Sequence, residues 1–400
     1  MPVVDLAPSR ADVVVVGGGC MGASVAFHLA RRGERIVLLE SGHVASGATG
    51  HSGAIVRQHY ESRLGIRLAR RSLAFFQRFQ DETGASCDFR TTGFLSGTRE
   101  RDLPAFEKLL DLMKSEEVQV ARLTPEEAQS LEPHLNVADY AAVVDDPNAG
   151  YADPIATASG FATAAARDGA TILEGRPCRG VVLQGGRVTG VRIRGGRIAA
   201  DRVLLAAGNW TPSLAKTAGV QLPVHFVRGQ VAILRRPVGF DRAPRIHFDF
   251  YHNTYSRPEG EKDVLVGYMD TDPRKTVREH ELKDDSVPGA TVRDLRARLA
   301  KRFPDLARAQ PRGGWAGVYD VTPDSFPILD AAGPEGLFVA VGFSGHGFKL
   351  CPEIGRLLAE YLAAGKRPPD LEPLRASRYG EGEPIREDAP FPARRGPRLP

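Results

Sequence analysis

Three glycines near the start of the chain have the spacing of a dinucleotide-binding turn. They are Gly17, Gly19 and Gly22, in the run GGGCMG that follows the apolar segment 13–16. In such a turn the first glycine permits a tight bend, the second lets the backbone approach a pyrophosphate, and the third lets a helix pack closely on a strand. Glu40 lies roughly 20 residues further on, where a carboxylate can accept hydrogen bonds from an adenosine ribose. The pattern predicts an FAD or NAD site, and Glu40 disfavours NADP.

Later segments rich in small residues favour FAD over NAD. The loop ASGATGHSG, at 45–53, would let a long cofactor run past the edge of a sheet, and the strand end LLAAGNW, at 204–210, would let the backbone approach a ligand. The turn GFSGHGFK, at 342–349, precedes a helix expected to open near Pro352. The positive end of that helix would stabilise the anion of a reduced flavin, an arrangement that a nicotinamide enzyme does not need.

The elements that must position these segments follow from hydrophobic periodicity. A strand at 11–16, a helix at 21–32 and a strand at 35–39 form a βαβ unit around the first glycine turn. We predict the remaining helices at 61–83, 104–119, 125–131, 290–302 and 353–364. Strands are predicted at 171–173, 181–184, 187–194, 203–205 and 337–341, with antiparallel strands within 223–270. From 366 onward the sequence is rich in Pro and Arg and predicts an extended, partly disordered tail.

Composition narrows the class of protein. The chain has 400 residues, 42% apolar and 26% charged, with a formal net charge of +4, and no apolar run approaches the roughly 18 residues of a membrane helix. The basic residues are interleaved with acids, so nucleic acid is not an expected partner. The four cysteines are scattered, which argues against a disulfide framework or a metal site. We expect a cytoplasmic protein without a membrane span.

Several stretches together resemble a known family. They are VVVVGGGCMGASVAFHLARRGERIVLLE, ASGATGHSGAIVRQHY, LLAAGNW, TPDSFPILD and VGFSGHGFKL. The chain resembles the FAD-dependent D-amino-acid oxidase superfamily, in the branch of sarcosine oxidases, dimethylglycine dehydrogenase and glycine oxidase. The resemblance implies an α/β fold, with a Rossmann-like FAD-binding domain from 1–85, 146–220 and 314–375. An α+β substrate domain built on an antiparallel sheet would come from 86–145 and 221–313, followed by the Pro/Arg-rich tail 376–400.

The motifs and the resemblance also predict the residues that contact FAD. They are Gly17, Gly19, Cys20, Met21, Gly22, Glu40, Ser41, Ser46, Thr49, Gly50, His51, Ser52, Cys178, Ala207, Gly208, Trp210, Gly342, Ser344, Gly345, His346, Gly347, Phe348 and Lys349.

The resemblance assigns the substrate site to three residues. Arg57 corresponds to the arginine that grips a substrate carboxylate, Lys349 to a lysine that adds a second positive contact, and Tyr255 to a tyrosine lining the same pocket. A guanidinium fork suits bidentate carboxylate binding in a dry pocket. The hypothesis is that a small amine or amino acid, such as an N-methyl amino acid, glycine, proline or a D-amino acid, transfers hydride to flavin N5. The resulting imine would be hydrolysed by water.

Two departures from monomeric sarcosine oxidases matter. Gly317 stands where those enzymes attach flavin through a cysteine, so we predict non-covalent FAD, with linkage through His51 as the competing hypothesis. Leu265 and Met269 replace a lysine that promotes reaction with oxygen and a histidine. The electron acceptor, oxygen or another, therefore stays open.

Three more classes of function also stay open at this point. The chain could be the flavoprotein subunit of a multi-subunit amine dehydrogenase or oxidase, since it resembles the sarcosine oxidase beta subunit. It could also be a flavin-binding protein without turnover. The third class is a nicotinamide enzyme.

Overall fold

The computed structural model of the chain describes residues 8–269, 276–277 and 284–391. Within these residues the strands are β1 (Val13–Val16), β2 (Ile36–Leu39), β3 (Ile55–Val56), β4 (Arg90–Thr91), β5 (Phe94–Thr98), β6 (Ala121–Leu123), β7 (Ala142–Asp146), β8 (Gly150–Tyr151), β9 (Thr171–Leu173), β10 (Gly180–Gln184), β11 (Arg187–Ile193), β12 (Gly196–Ala199), β13 (Arg202–Leu205), β14 (His225–Arg235), β15 (Ile246–Asp249), β16 (Thr254–Glu259), β17 (Asp263–Tyr268), β18 (Gln310–Val321), β19 (Ile328–Ala331) and β20 (Leu337–Val341). The helices are α1 (Cys20–Ala30), α2 (Arg63–Gln77), α3 (Phe79–Thr83), α4 (Leu103–Ser115), α5 (Pro125–Leu131), α6 (Pro154–Arg167), α7 (Thr211–Lys216), α8 (Gly289–Arg302) and α9 (Gly347–Ala364).

A six-stranded sheet carries the first glycine turn. Its order is β19-β20-β13-β1-β2-β9, and its strands are parallel except β19, which runs antiparallel to β20. Side chains alternate between its two faces. Val13 and Val15 pack in the cluster formed with α1, α6 and α9, whereas Val14 and Val16 pack against the β10-β11-β12 sheet. Because both faces are covered, the strand is apolar at every position.

An eight-stranded sheet forms the second half of the molecule, in the order β18-β14-β17-β16-β15-β5-β7-β6. Its neighbours are antiparallel except for β15 and β5, which are parallel. One face packs on α8 through Leu295 and Leu299, and the other carries the aromatic cluster of Phe94, Phe248 and Phe250. The predicted α/β architecture with an antiparallel second sheet is confirmed.

The division into domains stays a prediction. The predicted boundary between 313 and 314 falls inside β18, which pairs along its length with β14 in the second sheet. Residues 1–7, 270–275, 278–283 and 392–400 of the predicted ranges lie outside the described residues.

Three helix predictions need correction. The helix expected at 61–83 is interrupted at Arg78, whose φ of −117° and ψ of 18° are not helical. The break brings Phe79 into the core, where its ring centroid lies 4.9 Å from that of Phe161. The helix expected at 104–119 ends at Ser115. The last helix starts at Gly347 rather than near 353, and Pro352 lies inside it, where a proline near a helix N-terminus gives up only one hydrogen bond.

The extended conformation predicted for the partly disordered tail is also wrong for the part that the structure describes. Residues Pro369–Leu374 and Ala376–Tyr379 form 3-10 helices. Leu371, Leu374 and Arg378 are fully buried, and Phe391 is only 4% exposed. Leu371 and Leu374, which lie between prolines, pack in the hydrophobic core although the surrounding composition is rich in Pro and Arg. Residues 392–400 lie outside the described range.

Candidate active site

The first glycine turn is shaped by close backbone packing. Gly17 ends β1 with a φ of +112°, and a Cβ on it would lie 2.3 Å from the carbonyl oxygen of Ala206, at the end of β13. A Cβ on Gly22 would lie 2.0 Å from the carbonyl oxygen of Gly17. Side chains are therefore excluded at both positions.

The N-terminus of α1 fits an anion. Gly19 is its N-cap residue and has no side chain that could cap the helix, and the first turn has no acidic residue. Thr49 Oγ1 accepts a hydrogen bond from Cys20 N at 3.0 Å and brings the small-residue loop to this helix end. Cys20, Met21 and Gly22 form the buried first turn. Backbone N–H groups and the helix dipole at such an end favour a pyrophosphate, so the residues present fit the phosphates of FAD.

Glu40 lies at the end of β2, as predicted. Its carboxylate accepts hydrogen bonds from Gly18 N at 2.7 Å and Gly42 N at 2.8 Å, and from the Ser41 hydroxyl at 3.1 Å. The backbone of Arg176 donates to the Glu40 carbonyl at 2.7 Å and brings the loop with partly buried Cys178 to the same edge. Glu40 thus orders the turn, and its contact with a ribose remains a prediction.

The loop at 45–53 folds back on itself. Gly50 N donates to the Ala45 carbonyl at 2.9 Å, and a Cβ on Gly42 would lie 2.8 Å from Ser46 Oγ. The Ser52 hydroxyl accepts from Ala54 N at 3.0 Å. His51 Nδ1 lies 2.9 Å from the Gly47 carbonyl oxygen. The partly exposed Trp210 ring lies beside this loop, 3.9 Å from where a Cβ on Gly47 would be, and Trp210 follows Ala207 and Gly208 at the end of β13.

Arg57 is a buried cation held between aromatic rings. It follows β3 directly and is 2% exposed. Its guanidinium carbon lies 4.9 Å from the ring centroid of Tyr60 and 4.7 Å from that of Phe248, and it donates a hydrogen bond to the His59 carbonyl. The rings fix the plane of the guanidinium and exclude water around it.

Lys349 lies in the first turn of α9 and is 8% exposed. Its ammonium donates to the Gly345 carbonyl at 3.4 Å. The Tyr60 hydroxyl and His346 Nδ1 share a hydrogen bond of 3.2 Å, which ties the segment of Arg57 to the turn before α9. Within that turn Gly342, Ser344 and Gly345 all have positive φ, and Gly347 and Phe348 begin the helix.

Tyr255 lies where glycines leave room for its ring. A Cβ on Gly53 would lie 3.1 Å from its hydroxyl oxygen, and one on Gly267 would lie 2.6 Å from the ring carbon that bears it. Tyr319, which the sequence reasoning did not single out, lies beside it, and its ring occupies the space left by Gly229 and Gly345. Burial is the main cause that raises the pKa of Tyr255 well above its ordinary value, and the neighbouring Tyr319 raises it further.

One cavity brings the three predicted catalytic residues together. Its volume is about 980 Å³, and Arg57, Tyr255 and Lys349 all line it. Ser52, Ser344, Gly345, His346 and Phe348, predicted to contact FAD, also line it, together with Tyr319. Gly17, Glu40 and Trp210 are not among its lining residues and lie toward the first glycine turn. The arrangement can hold a carboxylate near two cations in a cavity that two tyrosines also line.

Two buried acids near the site were missed by the sequence reasoning. Asp320 accepts a hydrogen bond from Gly342 N at 2.7 Å, and burial raises its pKa to about 6. Asp146 accepts from the backbone and the side-chain amide of Gln58, both at 3.3 Å, and burial raises its pKa to about 6. Both hold segments that lead into the cavity. Neither belongs to a glycine motif, so spacing in the sequence gave no signal.

The described part of the chain contains neither a metal-binding cluster nor a membrane-spanning helix. There, no group of three or more His, Cys, Asp or Glu side chains is arranged to hold a metal ion. Likewise, none of the described helices combines the length and apolarity needed to cross a membrane.

The chain is similar to known flavoenzymes. It is 28% identical over 381 residues to mitochondrial sarcosine dehydrogenase of Homo sapiens, which covers 91% of this chain but 41% of that protein. It is 28% identical over 382 residues to glycine oxidase of Geobacillus kaustophilus, with 92% and 97% covered. The crystal structure of L-proline dehydrogenase from P. horikoshii superposes with a TM-score of 0.87 at 26% identity, covering 94% of this chain and 100% of that one.

The chain spans less than half the length of the human relative, whereas it spans nearly all of the glycine oxidase. The sequence profile described as FAD dependent oxidoreductase matches residues 12–361. Together with the glycine turn, the helix end that fits a pyrophosphate and the fold built on the six- and eight-stranded sheets, this match establishes that the chain belongs to the FAD dependent oxidoreductase family.

Proposed function

We propose that this protein oxidises a small amino acid or amine with FAD. The observation that carries the proposal is that Arg57, Lys349 and Tyr255 line one cavity. The substrates that fit two cations are carboxylate-bearing amines: N-methyl amino acids such as sarcosine, glycine, proline or D-amino acids. When bound, FAD supplies a two-electron acceptor for the carbon next to the amine nitrogen.

Arg57 and Lys349 bind the substrate carboxylate in this proposal. Both are nearly buried, so their attraction to an anion is screened far less than at a surface. The rings of Tyr60 and Phe248 keep the Arg57 guanidinium in one plane, which suits a two-point contact with a carboxylate. Fixing the carboxylate orients the carbon that is oxidised.

Tyr255 and Tyr319 orient the substrate as neutral groups. Burial is the main cause that raises the pKa of both phenols, so neither ionises to become a base near neutral pH. Their hydroxyls therefore donate or accept hydrogen bonds at the substrate. The reactive form of the amine is then the neutral form that arrives from solution.

We propose that FAD is bound without a covalent link and contacts the residues predicted for it from the sequence. The position that carries a flavin-linked cysteine in monomeric sarcosine oxidases is Gly317, and a Cβ there would lie 2.9 Å from the Cβ of His51. Trp315 Nε1 also donates to the His51 carbonyl at 2.8 Å, which fixes this histidine beside β18. Acid precipitation of the holoprotein should leave the yellow colour in the supernatant, and colour in the pellet would contradict the proposal.

The electron acceptor after substrate oxidation is proposed to be a partner or mediator rather than oxygen. Leu265, at the position of the oxygen-activating lysine, is fully buried in β17, and Met269 lines the cavity. A buried cation that would stabilise superoxide is thus replaced by apolar side chains. This observation favours the second candidate, a flavoprotein subunit of a multi-subunit dehydrogenase. The rate of flavin reoxidation is measured after the reduced protein is mixed with air or with an electron-accepting dye. A dehydrogenase is reoxidised faster by the dye, whereas an oxidase is reoxidised rapidly by oxygen.

Location in the cytoplasm is proposed from the cysteines. Cys20, Cys87, Cys178 and Cys351 are all free thiols, which suits a reducing compartment.

Anaerobic bleaching of the flavin tests the main proposal. The holoprotein is mixed with sarcosine, glycine, proline and D-alanine, and loss of flavin absorbance is followed in time. At least one amine should bleach it, with a rate that rises with pH as the amine loses its proton. A flavin that none of these amines reduces, or a rate that is flat between about pH 6 and 10, would overturn the proposal.

A further inference from the structure

The C-terminal segment is anchored at a buried ion pair. Arg378 is fully buried and donates to Asp324 from Nε at 2.8 Å and from Nη2 at 3.0 Å. The same carboxylate accepts a hydrogen bond from Ile385 N at 3.0 Å. Asp324 belongs to the TPDSFPILD stretch, which follows β18. The C-terminal segment, residues 378–391, is therefore fastened at Asp324, which lines the cavity.

A second set of contacts fastens residues 388–391 on the other side. Asp388 accepts a hydrogen bond from Arg63 N, at the start of α2, at 2.8 Å. Ala389 N donates to the Glu61 carbonyl at 3.0 Å. Phe391 then places its ring centroid 5.4 Å from that of Phe250, in the aromatic cluster of the eight-stranded sheet. The segment thus runs between the two halves of the fold.

Residues of the segment from 384 to 391 line the cavity that contains Arg57 and Lys349. They are Pro384, Ile385, Arg386, Glu387, Pro390 and Phe391.

A row of rings leads from Arg57 to the segment. The Arg57 guanidinium carbon lies 4.7 Å from the ring centroid of Phe248. The ring centroids of Phe248 and Phe250 are 6.5 Å apart, and those of Phe250 and Phe391 are 5.4 Å apart. The Arg57 guanidinium, which would hold the carboxylate, is thus connected to Phe391 by a row of aromatic rings.

We propose that residues 384–391 form the wall that limits the size of the substrate side chain, with Phe391 as the specificity-determining residue. This rests on the proposed function, since it assumes that Arg57 binds the carboxylate of an amine. A carboxylate fixed at Arg57 directs the rest of the substrate along the aromatic row, so the accepted side chains are apolar. The wall sets their upper size.

The test compares Phe391→Ala with Phe240→Ala in the holoprotein. Phe240 is a matched control, since it is 3% exposed and packs against Phe303 but does not line the cavity. kcat/KM is measured for glycine and for amino acids with larger apolar side chains. In Phe391→Ala the ratio of the largest substrate to glycine should rise about tenfold, as expected when a hydrophobic pocket gains space. Phe240→Ala should leave that ratio unchanged.

A binding assay separates failure of this proposal from failure of the proposed function. Acetate and phenylacetate are titrated into the same holoproteins, and the change in flavin absorbance gives their dissociation constants without turnover. Phe391→Ala should shift the preference toward phenylacetate about tenfold even if no amine reduces the flavin. Phe391→Leu, which keeps more of the packing, should shift both ratios in the same direction by less. Ratios in both Phe391 variants equal to those of Phe240→Ala would overturn the proposal.

Discussion

The two ends of the proposed cofactor site are built in different ways. Around the first glycine turn, shape is set by backbone atoms, because missing side chains let Ala206 and Gly17 approach within 2.3 Å or less of where a Cβ would be. Around the cavity, shape and charge are set by side chains from distant segments, among them Arg57, Tyr255 and Lys349. At the glycine turn no side chain fits at Gly17 or Gly22. At the cavity one side chain can be removed while the others still line it. Substitutions should therefore abolish cofactor binding at the turn and produce graded losses at the cavity.

The largest effect is expected for Gly22→Ala. The added methyl group would lie 2.0 Å from the Gly17 carbonyl oxygen, so the turn must open and the site for the pyrophosphate is lost. The bound flavin per mole of protein, read from absorbance, should fall more than tenfold. Gly196→Ala is the control, since a Cβ there meets nothing within 4 Å. Full flavin content in Gly22→Ala would show that the turn is not shaped by backbone packing.

Arg57→Ala should produce the next largest effect, at the cavity end. It removes the buried guanidinium, so the apparent affinity for carboxylate-bearing substrates should weaken by about 2–4 kcal/mol while flavin content stays normal. The measurement is kcat/KM together with substrate titration under anaerobic conditions. Arg31→Ala, which removes an arginine side chain that is 49% exposed, is the control and should change neither. An unchanged affinity would remove Arg57 from the substrate site.

Asp320→Asn tests the support behind the cavity. Burial raises the pKa of Asp320 to about 6 from an ordinary 3.8, so the folded state binds its proton more tightly than the unfolded state. Stability contributed by the protonated acid is then lost as the pH rises from about 4 to 6. Asn keeps an acceptor for Gly342 N without the charge, so the variant should be more stable than the wild type at pH 7 by on the order of 1–3 kcal/mol.

Denaturant unfolding at pH 4 and at pH 7 checks this difference. The two proteins should have nearly equal free energies of unfolding at the lower pH. Asp146 titrates in the same range but is present in both proteins, so its contribution cancels. A difference that is the same at both pH values would show that folding does not raise the pKa of the Asp320 carboxyl group.

Tyr255→Phe should produce the smallest effect. It removes one hydroxyl from a cavity that keeps Tyr319, so kcat/KM should fall about fivefold, in line with roughly 1 kcal/mol for a hydrogen bond. Tyr361→Phe is the control, since Tyr361 is buried against Phe338 and does not line the cavity. A loss as large as that of Arg57→Ala would mean that the phenol takes part in proton movement rather than orientation.

The sequence alone was sufficient for the local parts of this protein. Gly17, Gly19 and Gly22 predict the turn because a backbone requirement leaves a direct trace in residue type. The continuous valines of β1 predict a strand covered on both faces, and the structure has that strand. The family resemblance added Arg57, Lys349 and Tyr255, and the structure brings them to one cavity. Their proposed roles await the experiments above.

The surroundings of those residues depend on contacts between segments that are distant in the sequence. The sequence did not single out Tyr319 or Phe248. Phe248 lies beside Tyr255 through strand pairing in the eight-stranded sheet, and it meets Arg57 because the segment after β3 packs on that sheet. The sequence predicts a helix start near Pro352, yet Pro352 lies inside α9, since packing of α9 on α1 outweighs one lost hydrogen bond. The sequence predicts an extended, partly disordered tail from 366 onward, yet Arg378 pairs with buried Asp324 and holds the described part of this segment in place. The sequence shows directly where the backbone requires glycine. Which side chains become buried depends instead on residues that are far away in the chain.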